Sequence, residues 1–437
     1  MLVLLALMSV LYWSNHHKPA ETTEAAASAP PKILSLKEDD ISKIAIQKNG
    51  ANELSLAKNS SGKWQITAPQ VLAADQSAVS PLLSTLSSLN SERLVEDKAA
   101  DLNPYGLAQP ALEADISEKD NKAQKLLLGD STPTGSAVYA KLADDPRVFT
   151  IASYHKSSID KTPNDLRDKR LLTIDPEKIS RIELIANKQD IEFGRNKDEW
   201  QIVKPKPLRA DGTQVEDLVR TLTDARMDLS ATAPDPKKIG ASFAAATLVA
   251  TARVTDEAGT QELTVRKSKD DYYAKSSAVD GIYKVASNVG TGLARNLDDF
   301  RNKKLSDFGF SDPNKIEIHD GSKAYFLTRS GSDWWNGSGG KLDVGTVETL
   351  LDKLRDLSSS KFVDSGFTAP AIELTVTSGD GKKTEKVLLA KNGDNYIARR
   401  EAEPALYQLD SKTVADLEKS AEDLKLAPPA NPAKPSK

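Results

Sequence analysis

The sequence predicts an α+β protein made of three tandem repeat modules, each an antiparallel sheet with helices packed on it. Three observations predict this. A tryptophan (Trp64, Trp200 or Trp334) closes a strand-like run at intervals of about 135 residues. An aspartate follows each of these tryptophans, and an apolar helical stripe follows each aspartate. Copies of one sequence fold as copies of one unit, so the repetition predicts the architecture while leaving the activity open.

Each copy opens with alternating polar and apolar residues, a pattern typical of a half-buried strand. The run 41–46 (ISKIAI) aligns with 179–184 (ISRIEL), and the third copy has KIEI at 315–318. A second strand and the tryptophan strand follow. Asn49-Gly50 and Asp320-Gly321 lie between strands and indicate hairpins.

The helix of each copy is predicted to begin just after Asp75, Asp211 or Asp343. Apolar residues recur at the same five offsets from the aspartate in all three copies, and therefore on one helical face. They are Val79, Leu82, Leu83, Leu86 and Leu89, then Val215, Leu218, Val219, Leu222 and Ala225, then Val347, Leu350, Leu351, Leu354 and Leu357.

The recurring aspartates invite a catalytic interpretation, but capping of the first helical turn explains them without one. Gln214 lies three residues after Asp211, as a capping box requires. Pro81 is expected to bend the first helix or to delay its start to Ser80.

The second half of each copy again reads as strands, one of which carries Tyr139, Tyr273 or Tyr396. A closing helix is expected to follow, ending at 166–169 in the first copy and 300–303 in the second. Long strands with few crossovers favour antiparallel pairing. The predicted boundaries are 33–173, 174–308 and 309–424.

The chain ends differ in composition from the modules. Residues 1–18 begin with MLVLLALMSVLYW, which is almost wholly apolar and ends in the aromatic pair suited to a membrane interface. A spanning helix needs roughly 20 such residues, so the true segment is expected to begin upstream. An uncleaved anchor is favoured over a cleaved signal, and a buried helix is the remaining alternative. Residues 19–32 are predicted to be a flexible tether and residues 425–437 a disordered tail.

Composition excludes several classes of chemistry. The chain has no cysteine, which rules out thiol catalysis and disulfides. A formal net charge of -4 argues against a general nucleic-acid binder. His16 and His17 lie at the predicted membrane boundary, while His155 and His319 fall at unlike positions in different modules. No motif for a phosphate, dinucleotide or nucleophilic serine is present. We therefore predict no catalytic, cofactor-binding or metal-binding residues and no cofactor.

The tryptophans admit two interpretations. A tryptophan in the middle of a strand usually closes a small core, but one ring per module could also stack on a sugar or a peptide. Trp334 and Trp335 differ from the others because neighbours on a strand face opposite sides. One of the pair should be more exposed, and its surroundings are the first place to expect a binding surface.

The repeat pattern resembles the domain of unknown function 4340 family. The residues that carry the likeness are the strands from Ile44 to Trp64, the Ala74-Asp75 helix start, the turn 104–107 (PYGL) with Pro110, and the ending 167–169 (RDK). The resemblance implies a bacterial protein, exported or membrane-anchored, with no established chemistry. It also implies an association with components of ATP-driven exporters.

The sequence therefore predicts a protein that is not an enzyme. The expected function is that of an envelope scaffold, held in the cytoplasmic (inner) membrane by a single pass, with its modules on the extracytoplasmic side. Its expected partners are envelope proteins, with ABC transporter components the foremost candidates, and not nucleic acid. The alternatives are a glycan- or peptide-binding receptor, which would show exposed aromatic rings lining a groove, and a carboxylate-based cell-wall hydrolase. The hydrolase would show two carboxylates about 5–10 Å apart in a pocket.

Overall fold

The computed structural model of the protein describes residues 32–120, 122–197, 199–230, 233–235, 239–309 and 313–428. The chain forms two compact units, one ending at Lys169 and one beginning at Arg170. The predicted anchor, the tether up to residue 31 and residues 429–437 of the predicted tail lie outside the described residues. Within those residues, no helix has both the length and the apolar character that crossing a membrane requires.

The first unit contains one antiparallel sheet in the order β4-β3-β2-β1-β6-β7-β8-β9-β5. Its strands are β1 (Ile41–Lys48), β2 (Leu54–Lys58), β3 (Trp64–Ala68), β4 (Leu72–Ala73), β5 (Arg93–Glu96), β6 (Leu112–Glu118), β7 (Ala123–Ser131), β8 (Ala137–Leu142) and β9 (Val148–Ala152). Its helices are α1 (Gln76–Ser87), α2 (Ser153–Ile159) and α3 (Pro163–Leu166), with 3-10 turns at Glu38–Asp40 and Asn103–Tyr105.

The second sheet has the order β13-β12-β11-β10-β14-β15-β16-β17 and repeats the first without a counterpart of β5 among the described residues. Its strands are β10 (Arg181–Ala186), β11 (Gln189–Asn196), β12 (Glu199–Lys204), β13 (Leu208–Arg209), β14 (Thr247–Asp256), β15 (Gly259–Ser268), β16 (Asp271–Ser276) and β17 (Ile282–Val285). A 3-10 turn at Pro176–Lys178 precedes it, and its helices are α4 (Gly212–Thr223), α5 (Gly240–Ala245), α6 (Ser287–Leu293) and α7 (Leu297–Phe300).

The third sheet has the order β20-β19-β18-β22-β23-β24-β25-β21. Its strands are β18 (Lys315–Asp320), β19 (Lys323–Ser330), β20 (Asp333–Asn336), β21 (Lys361–Val363), β22 (Ile372–Ser378), β23 (Lys383–Asn392), β24 (Asn395–Arg400) and β25 (Leu406–Asp410). Helices α8 (Val344–Arg355) and α9 (Ser411–Glu422) accompany it. Three antiparallel sheets with helices confirm the α+β class and the three sheet modules.

Each sheet packs against its long helix around a core of its own. Helix α1 buries Val79, Leu82, Leu83 and Leu86 on one face, and α4 buries its four counterparts. Helix α8 contains four of the five predicted positions, of which three are buried and one, Leu351, is partly exposed. Each buried Leu or Val contributes roughly 1.5–3 kcal/mol relative to exposure, so the recurrent stripe is what holds each helix to its sheet.

The edges of these cores differ slightly from the predicted boundaries. Leu171 and Leu172 lie in the second core and Leu305 and Phe308 in the third. The first compact unit ends four residues before the predicted boundary at 173.

The three aspartates cap their helices as predicted. The side chain of Asp75 accepts hydrogen bonds from the amides of Ser77 and Ala78, that of Asp211 from Gln214, and that of Asp343 from Thr346. The expectation that Pro81 delays the first helix to Ser80 is wrong. Helix α1 begins at Gln76, so Pro81 lies within its second turn.

The predicted capping box in the second module is also wrong. The Gln214 carboxamide does not return to the Asp211 amide, which donates instead to the carbonyl of Phe300 (2.8 Å). The guanidinium of Arg295 donates to the Gln214 side chain at 2.5 Å. A charged donor on the closing segment therefore binds the carboxamide that the sequence pattern assigned to the cap.

One β-bridge between two backbone positions closes each module. Ala74 bridges Arg167, Ala210 bridges Arg301, and Leu342 bridges Leu426. In the third module Asp343 donates to the Lys425 carbonyl (2.8 Å) and Ala427 to the Lys341 carbonyl (2.9 Å). The prediction of a disordered tail from residue 425 is thus wrong for 425–427. Prolines exclude a helix there but leave these three residues free to pair as a strand.

A partly buried ion network crosses between the second and third modules, which lie in one compact unit. Arg209, at the end of β13, pairs with Glu403 at 2.6 Å. Glu403 also pairs with Arg400 (2.9 Å), which pairs with Glu385 (2.7 Å). Arg400 and Glu385 are both buried. Removing one partner would leave an uncompensated buried charge, so the network fixes this junction.

Candidate binding sites in the second and third modules

The tryptophan strand has the same register in every module. Trp64 lies opposite Lys58, Trp200 opposite Arg195, and Trp334 opposite Arg329. All three indoles are buried, which confirms their predicted core role. The backbone amides and carbonyls of successive residues on a strand point alternately to its two sides. The shared register therefore directs the amide and carbonyl of each of these tryptophans toward the outer edge of the sheet.

The modules differ in what forms hydrogen bonds with the tryptophan amide and carbonyl at that outer edge. In the first, the Gln76 carboxamide lies against the strand, where its Oε1 accepts from the Trp64 amide at 2.9 Å. Its Nε2 donates to the carbonyls of Trp64 (3.0 Å) and Ala74 (2.9 Å). In the third, the backbone closes the edge directly, since the Leu342 amide donates to the Trp334 carbonyl at 2.8 Å.

In the second module the residue after the cap is Gly212, which has no side chain that could close the edge as Gln76 does. A Cβ added at Gly212 would meet no atom within 4 Å. The space forms a cleft of about 600 Å³, a volume usual for ligand sites. Its lining residues are Glu199, Trp200, Gln201, Arg209, Ala210, Asp211, Gly212, Thr213, Glu216, Asn302, Lys303, Lys304, Asp307 and Ser358.

Two carboxylates of this cleft already have structural partners. Glu216 accepts a hydrogen bond from the Trp200 indole nitrogen at 2.6 Å, and Arg195 lies 5.5 Å from the same ring. Asp211 caps helix α4. Neither of these two carboxylates is therefore positioned by the fold as a free acid or base.

The third module has a groove of about 430 Å³ whose lining includes apolar and aromatic side chains. The residues that supply these side chains are Tyr325, Phe326, Leu424 and Leu426. Phe326 is 42% exposed and Leu426 is 63% exposed. The exposed ring of Phe326 in this groove is the kind of feature expected of a glycan- or peptide-binding receptor.

The same sheet has an aromatic outer face. Trp334 is 4% exposed and Trp335 is 37% exposed, which confirms the predicted difference between the two neighbours. Phe326 makes an edge-to-face contact with His319, with ring centroids 5.3 Å apart. Residues 319, 326 and 335 are all exposed, so we call them the aromatic face.

The corresponding face of the second sheet is charged. Glu192 pairs with Lys204 at 2.6 Å and with Arg181 at 2.8 Å, and Arg253 pairs with Glu183 at 2.8 Å. The hydrogen bond from Lys204 lowers the pKa of Glu192 against the opposing effect of burial. These cross-strand pairs offer little apolar surface to a partner, in contrast to the aromatic face.

Among the described residues, no group of three His, Asp or Glu side chains could hold a metal ion. Burial lowers the pKa of His155, and His16 and His17 lie outside the described residues. Burial, together with Asp320 and Glu422, raises the pKa of Glu418. Glu422 lines the groove and contacts Lys323, whereas Glu418 is not among the described lining residues.

Comparison with protein families identifies the chain. The model for a domain of unknown function, DUF4340, matches residues 64–242 and 200–372, so the protein belongs to this family. The two matched segments begin at Trp64 and Trp200, equivalent positions in successive modules, which supports the repeat. No curated protein matches the chain.

Proposed function

We propose that the protein is a non-catalytic scaffold of the cell envelope, tethered to the cytoplasmic membrane through residues 1–18 with its modules outside. Its proposed partners are other envelope proteins, foremost components of an ABC-type exporter. The observation that carries the proposal is the aromatic face of the third module, where Phe326 and Trp335 are 42% and 37% exposed. Aromatic residues are enriched in protein interfaces because they bury a large area at a low entropic cost.

The repetition of the module favours recognition over chemistry. Repeat proteins commonly use the surfaces of their repeats for binding. Two of the four carboxylates that line the cleft of the second module, Asp211 and Glu216, have structural partners. A hydrolase would instead need a free acid and base facing a substrate.

The test is crosslinking of the anchored full-length protein in cells, followed by purification and mass spectrometry. Phe326→Ser combined with Trp335→Ser should abolish one specific crosslinked envelope protein. The matched control is Val203→Ser, because Val203 is 43% exposed on the second sheet and should leave the crosslink intact. Equal recovery from all three forms would contradict the aromatic face as the interface, and turnover of a cell-wall substrate by the purified protein would favour the hydrolase.

A second candidate, a glycan- or peptide-binding receptor, is favoured by the groove of Tyr325 and Phe326. Titration with soluble glycan fragments and with peptides separates it from the scaffold. A receptor would bind a small ligand with Phe326 protected, whereas a scaffold would bind only an intact partner.

A further inference from the structure

In the first module a side chain of the protein itself, that of Gln76, occupies the sheet edge beside the tryptophan as a bound ligand would. The Gln76 carboxamide accepts from the Trp64 amide and donates to the carbonyls of Trp64 and Ala74, with all three distances between 2.9 and 3.0 Å. One oxygen acceptor and two N–H donors are the full set that a primary carboxamide offers on these sides. The edge of the strand beside the tryptophan is therefore shaped to hold that group.

The second module repeats the edge without the group. Trp200 has the register of Trp64, and Ala210 occupies the place of Ala74 before the capping aspartate. Position 212 is glycine, and both Trp200 and Ala210 line the cleft of about 600 Å³. We infer that this cleft binds a primary carboxamide, the side chain of an asparagine or glutamine on a partner polypeptide. The inference rests on the proposed protein-binding function and names the chemistry that a partner would present there.

The charges around the cleft favour a neutral group. Its lining carries four carboxylates and three cationic side chains, so charges of both signs surround the same space. A carboxylate ligand would face the carbonyls of Trp200 and Ala210 without a proton to donate. An ammonium ligand would leave the Trp200 amide without an acceptor. A group with a donor and an acceptor side by side matches the edge, as the Gln76 carboxamide does in the first module.

The size of the cleft favours a ligand that extends beyond the carboxamide. Gln76 fills the corresponding place in the first module with one side chain. The second cleft continues from Gly212 to Lys303, Asp307 and Ser358, which leaves room for the chain that carries the carboxamide. The third module needs no such ligand, because its Leu342 amide already bonds the Trp334 carbonyl.

The test uses the full chain labelled with 5-fluorotryptophan, whose Trp200 signal is assigned by Trp200→Phe. The probes are N-acetylglutamine methylamide, the isosteric N-acetylglutamate methylamide, and N-acetylalanine methylamide. The blocked glutamine should shift the Trp200 fluorine signal, and the blocked glutamate should bind roughly tenfold more weakly or not at all.

Two substitutions at one position form the matched pair. Gly212→Ala should keep the response, because its Cβ points into open space. Gly212→Gln should abolish it by supplying the carboxamide from within, as Gln76 does. The converse variant, Gln76→Gly, should make the Trp64 signal respond to the same probe.

Each remaining outcome overturns the inference. The first is an equal response of the Trp200 signal to blocked glutamine and blocked glutamate. The second is an equal response to blocked glutamine and blocked alanine, which would indicate binding of an extended backbone. The third is an unchanged response to blocked glutamine in Gly212→Gln. Failure here with the crosslink to Phe326 and Trp335 intact would leave the scaffold proposal standing. Loss of that crosslink with probe binding retained would leave the carboxamide site standing alone.

Discussion

The first and second modules share a strand, a tryptophan and a capping aspartate, yet they differ at the residue after the cap. Gln76 closes the sheet edge in one, and Gly212 leaves it open in the other. The difference teaches that a repeat can keep its fold while the same edge changes from a structural contact to an available surface. A single side chain that adds no core volume is enough to make the change.

The largest effect on stability is expected from substitution of Trp64 or Trp200, and it tests whether the two residues contribute equally to their cores. Trp64→Ala and Trp200→Ala should each lower the free energy of unfolding by about 3–5 kcal/mol, because both remove a buried indole from a core. Trp200→Phe should cost about 1 kcal/mol more than Trp64→Phe, because it also removes the hydrogen bond to Glu216. Hydrogen exchange measured by mass spectrometry on peptides of each module provides the comparison. Equal costs for the two Phe variants would show that the Glu216 contact contributes nothing.

Gln76→Ala should open the first edge at a cost of about 1.5 kcal/mol, since it removes three hydrogen bonds of a partly exposed group. The Trp64 amide should then exchange faster with solvent. Gln76→Glu is the isosteric control and should be at least as destabilising, because a carboxylate faces two carbonyls. An unchanged Trp64 exchange rate in both variants would argue that the carboxamide does not hold this edge.

The cap of the first helix should be sensitive to acid. A hydrogen bond from the Ser77 hydroxyl is the main cause of the lowered pKa of Asp75, with amide bonds adding to it against burial. Because the folded pKa lies below the unfolded one, the stabilisation is complete above the unfolded pKa and is lost as the pH falls through the folded pKa. The cap is worth about 1 kcal/mol.

Asp75→Asn separates this cap from the other carboxylates, since asparagine also caps but does not titrate. The wild-type advantage over Asp75→Asn should shrink as the pH falls from 6 to 3, as measured by hydrogen exchange in helix α1. A difference that stays constant across this range would contradict an ionised Asp75 as the cap.

The smallest expected effect lies in the second module. Gly212→Ala should stabilise helix α4 by about 0.5 kcal/mol, because alanine has less backbone freedom to lose and its Cβ meets no neighbour. The midpoint of thermal unfolding of the second compact unit is the measurement. Destabilisation would mean that the cleft is narrower than described, and the open edge would no longer distinguish the two modules.

Much of the fold could be predicted from the sequence because it follows local periodicity. The strand alternation at 41–46 and 179–184, the five-position helical stripe and the three aspartate caps all depend on residues a few positions apart. The exposure difference between Trp334 and Trp335 follows from the two-residue period of a strand. The DUF4340 resemblance rested on the same packing residues, and the family match supports it.

The predictions that were wrong concern residues that fit a local sequence pattern but bond to a residue far away along the chain. Gln214 fits a capping box by spacing, but Arg295, 81 residues later, takes its carboxamide. Leu426 stands in a proline-rich end, but it pairs with Leu342 across the closing edge of the third module. The ion network of Arg209 with Glu403 likewise joins positions that no short pattern connects.

The sequence by itself determined that three α+β modules follow one another, where their helices begin and which face of each helix is buried. Only the tertiary structure decided which sheet edges are closed. Gln, Gly and Val after the capping aspartates are visible in the sequence at 76, 212 and 344, but their meaning depends on whether a side chain reaches back to the tryptophan strand. Helical and strand periods are written in neighbouring residues, whereas the closure of an edge is a contact in space, and the open cleft at Gly212 exists only once the chain has folded.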